Sequence, residues 1–171
     1  MPILSSVKKI LCFVFLALSA CNLMAAGGTG TIEARLQRLE DREAIRNLLM
    51  EYGRTLDARD FKAFSELFAR SVGEWNGGMG VARGPEAIRK LMEESITGKP
   101  GANFHIFNNE MIDVDGDRAT AVTKWTFIVK GKDGRPQSVY LGHYNDTLIR
   151  EDGRWKFLQR KVTSDIPGEQ Q

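Results

Sequence analysis

The sequence predicts an α+β fold, helices first and an antiparallel meander after them. Three observations carry that expectation. From Ile32 the apolar residues keep a helical spacing for about seven turns. Asp60 and Gly84-Pro85 are two further helix starts. After Gly98-Lys99-Pro100-Gly101, four alternating apolar segments follow, separated by Asp-Gly turns.

Ahead of the domain, Lys8 and Lys9 precede an apolar run from Ile10 to Leu18, followed by Ser19-Ala20-Cys21. The run is too short to span a bilayer as a permanent helix, so residues 1–20 read as an export signal. Leu18-Ser19-Ala20-Cys21 resembles the lipobox of bacterial lipoproteins. The resemblance implies cleavage before Cys21, lipidation of Cys21, and a periplasmic protein held at the membrane by its lipid anchor only. Ordinary cleavage near Ala25 or Ala26, giving a free exported protein, is the alternative. Cys12 is removed either way, which leaves no cysteine pair for a disulfide and no thiol for catalysis. Residues 21–31 are small and Gly-rich, a flexible tether.

The domain proper spans residues 32–165, with a tail at 166–171. Leu36, Leu39, Ile45, Leu48, Leu49, Tyr52 and Leu56 make the first helix amphipathic. Phe61, Phe64, Leu67 and Phe68 form the stripe of the second, and Ile88, Leu91 and Met92 follow Pro85 in the third. Between them, residues 71–83 hold Trp75 among glycines, a loop or short irregular strands. The four strands are expected at about 102–115, 118–130, 137–150 and 154–164, joined at Asp115-Gly116-Asp117, Asp133-Gly134 and Asp152-Gly153.

A chain of 171 residues with 42% hydrophobic content supports one domain with a real core. Its net charge of +2 comes from basic residues interspersed with acidic ones, which gives no support to nucleic-acid binding. There is no GxSxG, no phosphate-cradling glycine loop, no GxGxxG and no HxxxH or carboxylate-rich metal spacing. Serine-hydrolase, nucleotide and metal chemistry therefore drop out, and no cofactor is expected.

Four residues could carry chemistry. Alternation after Asp152-Gly153 sets Arg160 on one face with Leu158 and Val162. A guanidinium keeps its proton and is costly to bury unpaired, so it needs an acid partner, a wet cavity or an anionic ligand. His105 alternates with Phe107 and Met111, where a histidine is either a core residue or a base. Tyr52 and Asp57 close the first helix, about 140° apart around it, so they share a face only if the helix frays or bends. His143, beside Leu141 and Val139, reads as structural or exposed. A carboxylate beside an imidazole fixes its tautomer and raises its basicity, while a tyrosine and an arginine can hold a carbonyl or a departing oxygen. In one pocket these four types describe proton abstraction and elimination without a metal.

Across residues 32 to 165 the chain resembles the SnoaL-like branch of the nuclear transport factor 2-like superfamily. The cues are Leu39-Glu40-Asp41-Arg42-Glu43-Ala44-Ile45, Tyr52 through Asp57 to Asp60-Phe61, Gly84-Pro85-Glu86-Ala87-Ile88, Asn103-Phe104-His105, Val114-Asp115-Gly116-Asp117 and Asp152-Gly153-Arg154-Trp155-Lys156-Phe157. The resemblance implies a cone-shaped α+β barrel in which a strongly curved, mainly antiparallel sheet wraps a pocket lined by the long helix. Its site pattern is similar to that of bile-acid 7α-dehydratases and hexachlorocyclohexane dehydrochlorinases. That similarity implies an Asp57-His105 dyad, with Arg160 as the pocket arginine and Tyr52 matching the tyrosine of the bile-acid enzymes. His143 has no clear counterpart for the second histidine of some fungal dehydratases.

The preferred reading is a lyase of dehydratase type, or an isomerase using the same groups, acting on a small apolar ligand that bears a carboxylate or carbonyl. Its alternative is a non-catalytic module that binds a small molecule or another protein. The apolar strand face of Ala121, Thr123, Trp125, Phe127 and Val129 could pack on the helices or serve as the interface of a homo-oligomer.

Overall fold

The computed structural model describes residues 30–167. The export signal, the Cys21 site, all of the tether but its last two residues, and residues 168–171 of the tail lie outside the described residues. Helix α1 runs over Ile32–Asp57 and buries Ile45, Leu48, Leu49, Tyr52 and Leu56, the spacing of one helical face. Leu36 and Leu39, expected on that stripe, are 53% and 65% exposed. In their stretch the buried position belongs to Asp41, which accepts hydrogen bonds from Gln37, Arg150 and the Trp155 indole. Burial alone would raise the Asp41 carboxyl, but those three donors outweigh it and hold it below the usual carboxylate value.

Helix α2 (Phe61–Ser65) is capped as expected, with Asp60 accepting the Ala63 N–H at 3.0 Å. Helix α3 (Pro85–Ser95) begins at its proline and buries Ile88 and Met92. The glycine-rich stretch between them forms two short strands, β1 (Glu74–Gly77) and β2 (Gly80–Arg83). The meander follows as β3 (Asn103–Asp115), β4 (Arg118–Lys130), β5 (Pro136–Glu151) and β6 (Arg154–Pro167). At the β5–β6 turn Asp152 and Gly153 adopt φ of 50° and 74°, the double positive φ of a two-residue type I′ loop.

The strands form one mixed sheet in the order β2-β1-β6-β5-β4-β3. β1 lies parallel to β6 and every other pair is antiparallel. The sheet is open, with β2 and β3 as its edges, so the expected barrel is an unclosed cone. Register shifts bend it at Asn108/Met111 in β3, at Phe127/Ile128 between β4 and β5, and at Leu141/Gly142 and Thr147/Leu148 between β5 and β6.

These bulges correct two face assignments. Because the extra residue in β6 is Leu158, the inward set is Trp155, Phe157, Arg160 and Val162, and Leu158 is not part of it. Likewise the β3 bulge, where Asn109 takes φ 53°, turns Met111 outward while His105 and Phe107 stay inside. The β4 face from Ala121 to Phe127 packs inward, with Ala121, Thr123 and Trp125 buried, the packing alternative of the two expected for it. Above the sheet Tyr52, Phe64, Phe68 and Phe157 form a continuous aromatic core with centroid spacings of 4.8, 5.7 and 5.2 Å from one ring to the next.

Candidate active site

Asp57 is the last residue of α1, and its carboxylate turns toward the start of β3. Oδ2 accepts the His105 backbone N–H at 2.8 Å, and Oδ1 accepts the Asn103 side-chain N–H at 2.7 Å. Oδ1 also meets His105 Nδ1 at 2.6 Å. An ionised carboxylate can only accept, so this contact favours the tautomer with the ring proton on Nδ1, the nitrogen that faces Asp57. Close approach of helix and strand makes this possible: a Cβ at Gly53 would collide with the Phe107 ring. A glycine inside a helix costs about 1 kcal/mol relative to alanine, so its use here serves the contact rather than the helix.

Asn103 is held in turn by Arg59, whose Nη2 donates to Asn103 Oδ1 at 2.6 Å and to the Thr97 carbonyl at 3.2 Å. Arg59 Nη1 donates to the Leu56 carbonyl at 2.9 Å, closing the end of α1. Arg59 adopts φ 62°, a left-handed conformation that a residue with a side chain rarely takes. The chain from Arg59 through Asn103 to Asp57 thus orients the histidine from behind.

Arg160 lies elsewhere than the sequence suggested. It is fully buried and makes a bidentate pair with Asp146, Nε to Oδ1 at 2.7 Å and Nη2 to Oδ2 at 2.6 Å. Its guanidinium carbon sits 4.0 Å from the Tyr52 ring centre, 4.1 Å from that of Tyr144 and 4.2 Å from that of Phe157. It is absent from the cavity wall, and of the three options open to it in the sequence, the acid partner is the one realised. An unbroken hairpin would set Asp146 against Gln159; the Leu158 bulge advances β6 by one residue and sets it against Arg160.

In front of these groups opens a cavity of 650 Å³, within the range that holds small-molecule ligands. His105, Asn103 and Arg59 line one part of it, and Tyr52, Trp75, Trp125, Phe127, Tyr140 and Tyr144 supply an aromatic wall. Tyr52 and His105 therefore share one cavity, with Asp57 behind the histidine. The Tyr52 hydroxyl accepts the Trp75 indole N–H at 2.9 Å, and burial pushes its phenol up, so it keeps its own proton to donate. His143 pairs with Asp165 at 2.8 Å, away from this lining.

Arg59, Asp146 and Tyr144 were not singled out in the sequence, where Asn103 stands only among the family cues and Trp125 only in an apolar strand face. Asp146 carried the same signal as Arg160, a charge between the inward Tyr144 and Leu148. Asn103 was legible as a polar residue two before His105 on one strand face, whereas nothing local marks the turned backbone of Arg59.

The SnoaL-like domain family profile matches residues 37–161. Among solved structures, an NTF2-like protein with a cystatin-like fold from Novosphingobium aromaticivorans is similar at 28% identity and a TM-score of 0.69, covering 81% of this chain and 92% of that one. LinA superposes with a TM-score of 0.68 at 23% identity, over 79% of this chain and 92% of its own. A candidate scytalone dehydratase from Novosphingobium aromaticivorans DSM 12444 does so with a TM-score of 0.67 at 23% identity, over 80% and 92%. At those two identities the likeness is one of fold. No curated protein matches the chain. With the profile covering both the helix-end aspartate and the strand histidine, the chain belongs to the SnoaL-like domain family of the NTF2-like superfamily.

Proposed function

We propose that this protein is a cofactor-independent lyase of dehydratase type that uses His105 as its base. The observation that carries the reading is the 2.6 Å contact between His105 Nδ1 and Asp57 beside a ligand-sized cavity. His105 Nε2 takes the proton from a carbon next to a carbonyl, and the electrons of the broken C–H bond form the enolate. As the neighbouring C–O bond breaks, they become the new C=C bond and the imidazolium returns its proton to the departing oxygen, releasing water. Asp57 keeps the tautomer and steadies the imidazolium, and Tyr52 can donate to an oxygen of the substrate from the same cavity. Arg160 works from behind, as a positioning residue that supports the rings of Tyr52 and Tyr144.

The test is turnover of a panel of β-hydroxy ketones and thioesters, read by the absorbance of the conjugated product. Replacing His105 with Ala is expected to lower the rate of any substrate found by about two to four powers of ten. An unchanged rate overturns the mechanism, and binding of panel members with no turnover at all favours the non-catalytic reading. The lipobox-like Leu18-Ser19-Ala20-Cys21 supports export and anchoring at Cys21. Labelled palmitate incorporated by the chain but not by Cys21→Ser is the expected result, and equal labelling of the two removes the anchor.

A further inference from the structure

The geometry points to an oxygen-binding subsite on the β4–β5 wall of the cavity, formed by Trp125 and Tyr144, that takes an uncharged carbonyl or hydroxyl oxygen of the ligand. It deepens the lyase reading of the same cavity, and its role in the chemistry rests on that reading.

Trp125 and Tyr144 both line the cavity and are only 7% and 2% exposed. Their rings stack at 5.7 Å with an interplanar angle of 26°. Each is a donor lacking an acceptor among the described residues: the Trp125 indole N–H is buried without a partner, and the Tyr144 hydroxyl makes no hydrogen bond. Native folds rarely leave buried donors unmatched, so an unmatched one in a cavity wall marks where a ligand atom belongs. The indole is held there by design of the backbone, because it lies over Gly142, where a Cβ would sit 2.6 and 2.7 Å from its ring carbons.

The other two tryptophans are satisfied, Trp75 by the Tyr52 hydroxyl and Trp155 by Asp41. Arg160 is paired with Asp146 and stands outside the cavity lining, while Arg59, which lines it, donates to the Leu56 and Thr97 carbonyls and to Asn103 and keeps only its Nε unpartnered. Trp125 and Tyr144 are neutral donors side by side in the wall, which suits an uncharged ketone or alcohol oxygen. In the elimination this subsite would hold the carbonyl oxygen as its charge grows, or the hydroxyl that leaves.

The experiment uses 1-tetralone as an acceptor probe and tetralin as its deoxygenated control, followed in ¹⁵N-labelled protein through the three indole N–H resonances. The Trp125 resonance, assigned by its loss in Trp125→Phe, is expected to move downfield with 1-tetralone and not with tetralin. Tyr144→Phe is expected to weaken 1-tetralone about fivefold and leave tetralin unchanged. A Trp125 resonance unmoved by excess ketone, or equal ketone affinity in Tyr144→Phe, overturns the subsite. Neither probe has a leaving group, so the outcome is independent of turnover. A shifted resonance in a protein without lyase activity leaves the subsite standing alone, and lyase activity with no shift places the oxygen elsewhere.

Discussion

Asp57 and Asp146 each meet a nitrogen side chain at 2.6 Å, the first from the end of α1 and the second between two strands, and their surroundings differ. Asp57 and His105 keep 15% and 11% of their side chains exposed, whereas Asp146 and Arg160 keep none. An imidazole held by one nitrogen still has the other to exchange a proton with a ligand. A guanidinium never gives up its proton, and this one is enclosed by three aromatic rings. Burial pushes the Asp146 carboxyl up against the pull of Arg160, so charge there is tolerated only because the partner is present. The open pair reaches the cavity through His105; the sealed pair does not line it.

That contrast can be broken at either end. His105→Ala should abolish most turnover, by the two to four powers of ten given above, while the urea midpoint stays near that of the parent chain. Arg160→Met should do the reverse: a stability loss of about 3 to 5 kcal/mol by urea denaturation, because it strands a buried carboxylate. The double change Arg160→Met with Asp146→Leu should recover most of that loss, whereas a pair that acts on the ligand would leave the double variant inactive at restored stability. Tyr52→Phe keeps the ring under Arg160 but removes the acceptor of the Trp75 N–H, and is expected to cost about 1 to 3 kcal/mol in the same assay. A smaller effect would mean that the indole finds another partner.

Asp41 with Arg150 stands between the two extremes, buried on the acid side and part-exposed on the basic side. Its folded carboxyl lies below its unfolded value, so it favours the folded state above that unfolded value, about 3.9. The contribution fades as pH falls through the lower folded value. Acid titration of stability should therefore show a loss below about pH 4 that is missing in Asp41→Asn.

Much of this arrangement was legible in the chain. Asp60, Pro85 and the Asp152-Gly153 turn act within a few residues of themselves, so their effects survive into the fold unchanged. His105 and Asp57 could be nominated singly, and the family resemblance joined them before the geometry did. Alternation failed at Leu158 and Asn109, because a bulge is one extra residue with no composition of its own. The direction of the Ala121 to Val129 face was open for a similar reason, since alternation says which residues share a face but not which way that face turns.

By itself the sequence determined the three helices and the four-stranded meander after them, because capping, proline placement, helical period and turn residues are local physics, but not that the stretch between α2 and α3 joins the sheet as β1 and β2. It also determined that one charged residue, Arg160, would fall on an apolar strand face. Only the tertiary structure decided what that charge does and that Asp146 is its partner. Strand register couples residues far apart in the chain, and a shift of one residue in β6 set Arg160 against Asp146 instead of Gln159. The same long-range packing, with Gly53 admitting Phe107, brought the end of α1 to the start of β3 and closed the contact between Asp57 and His105.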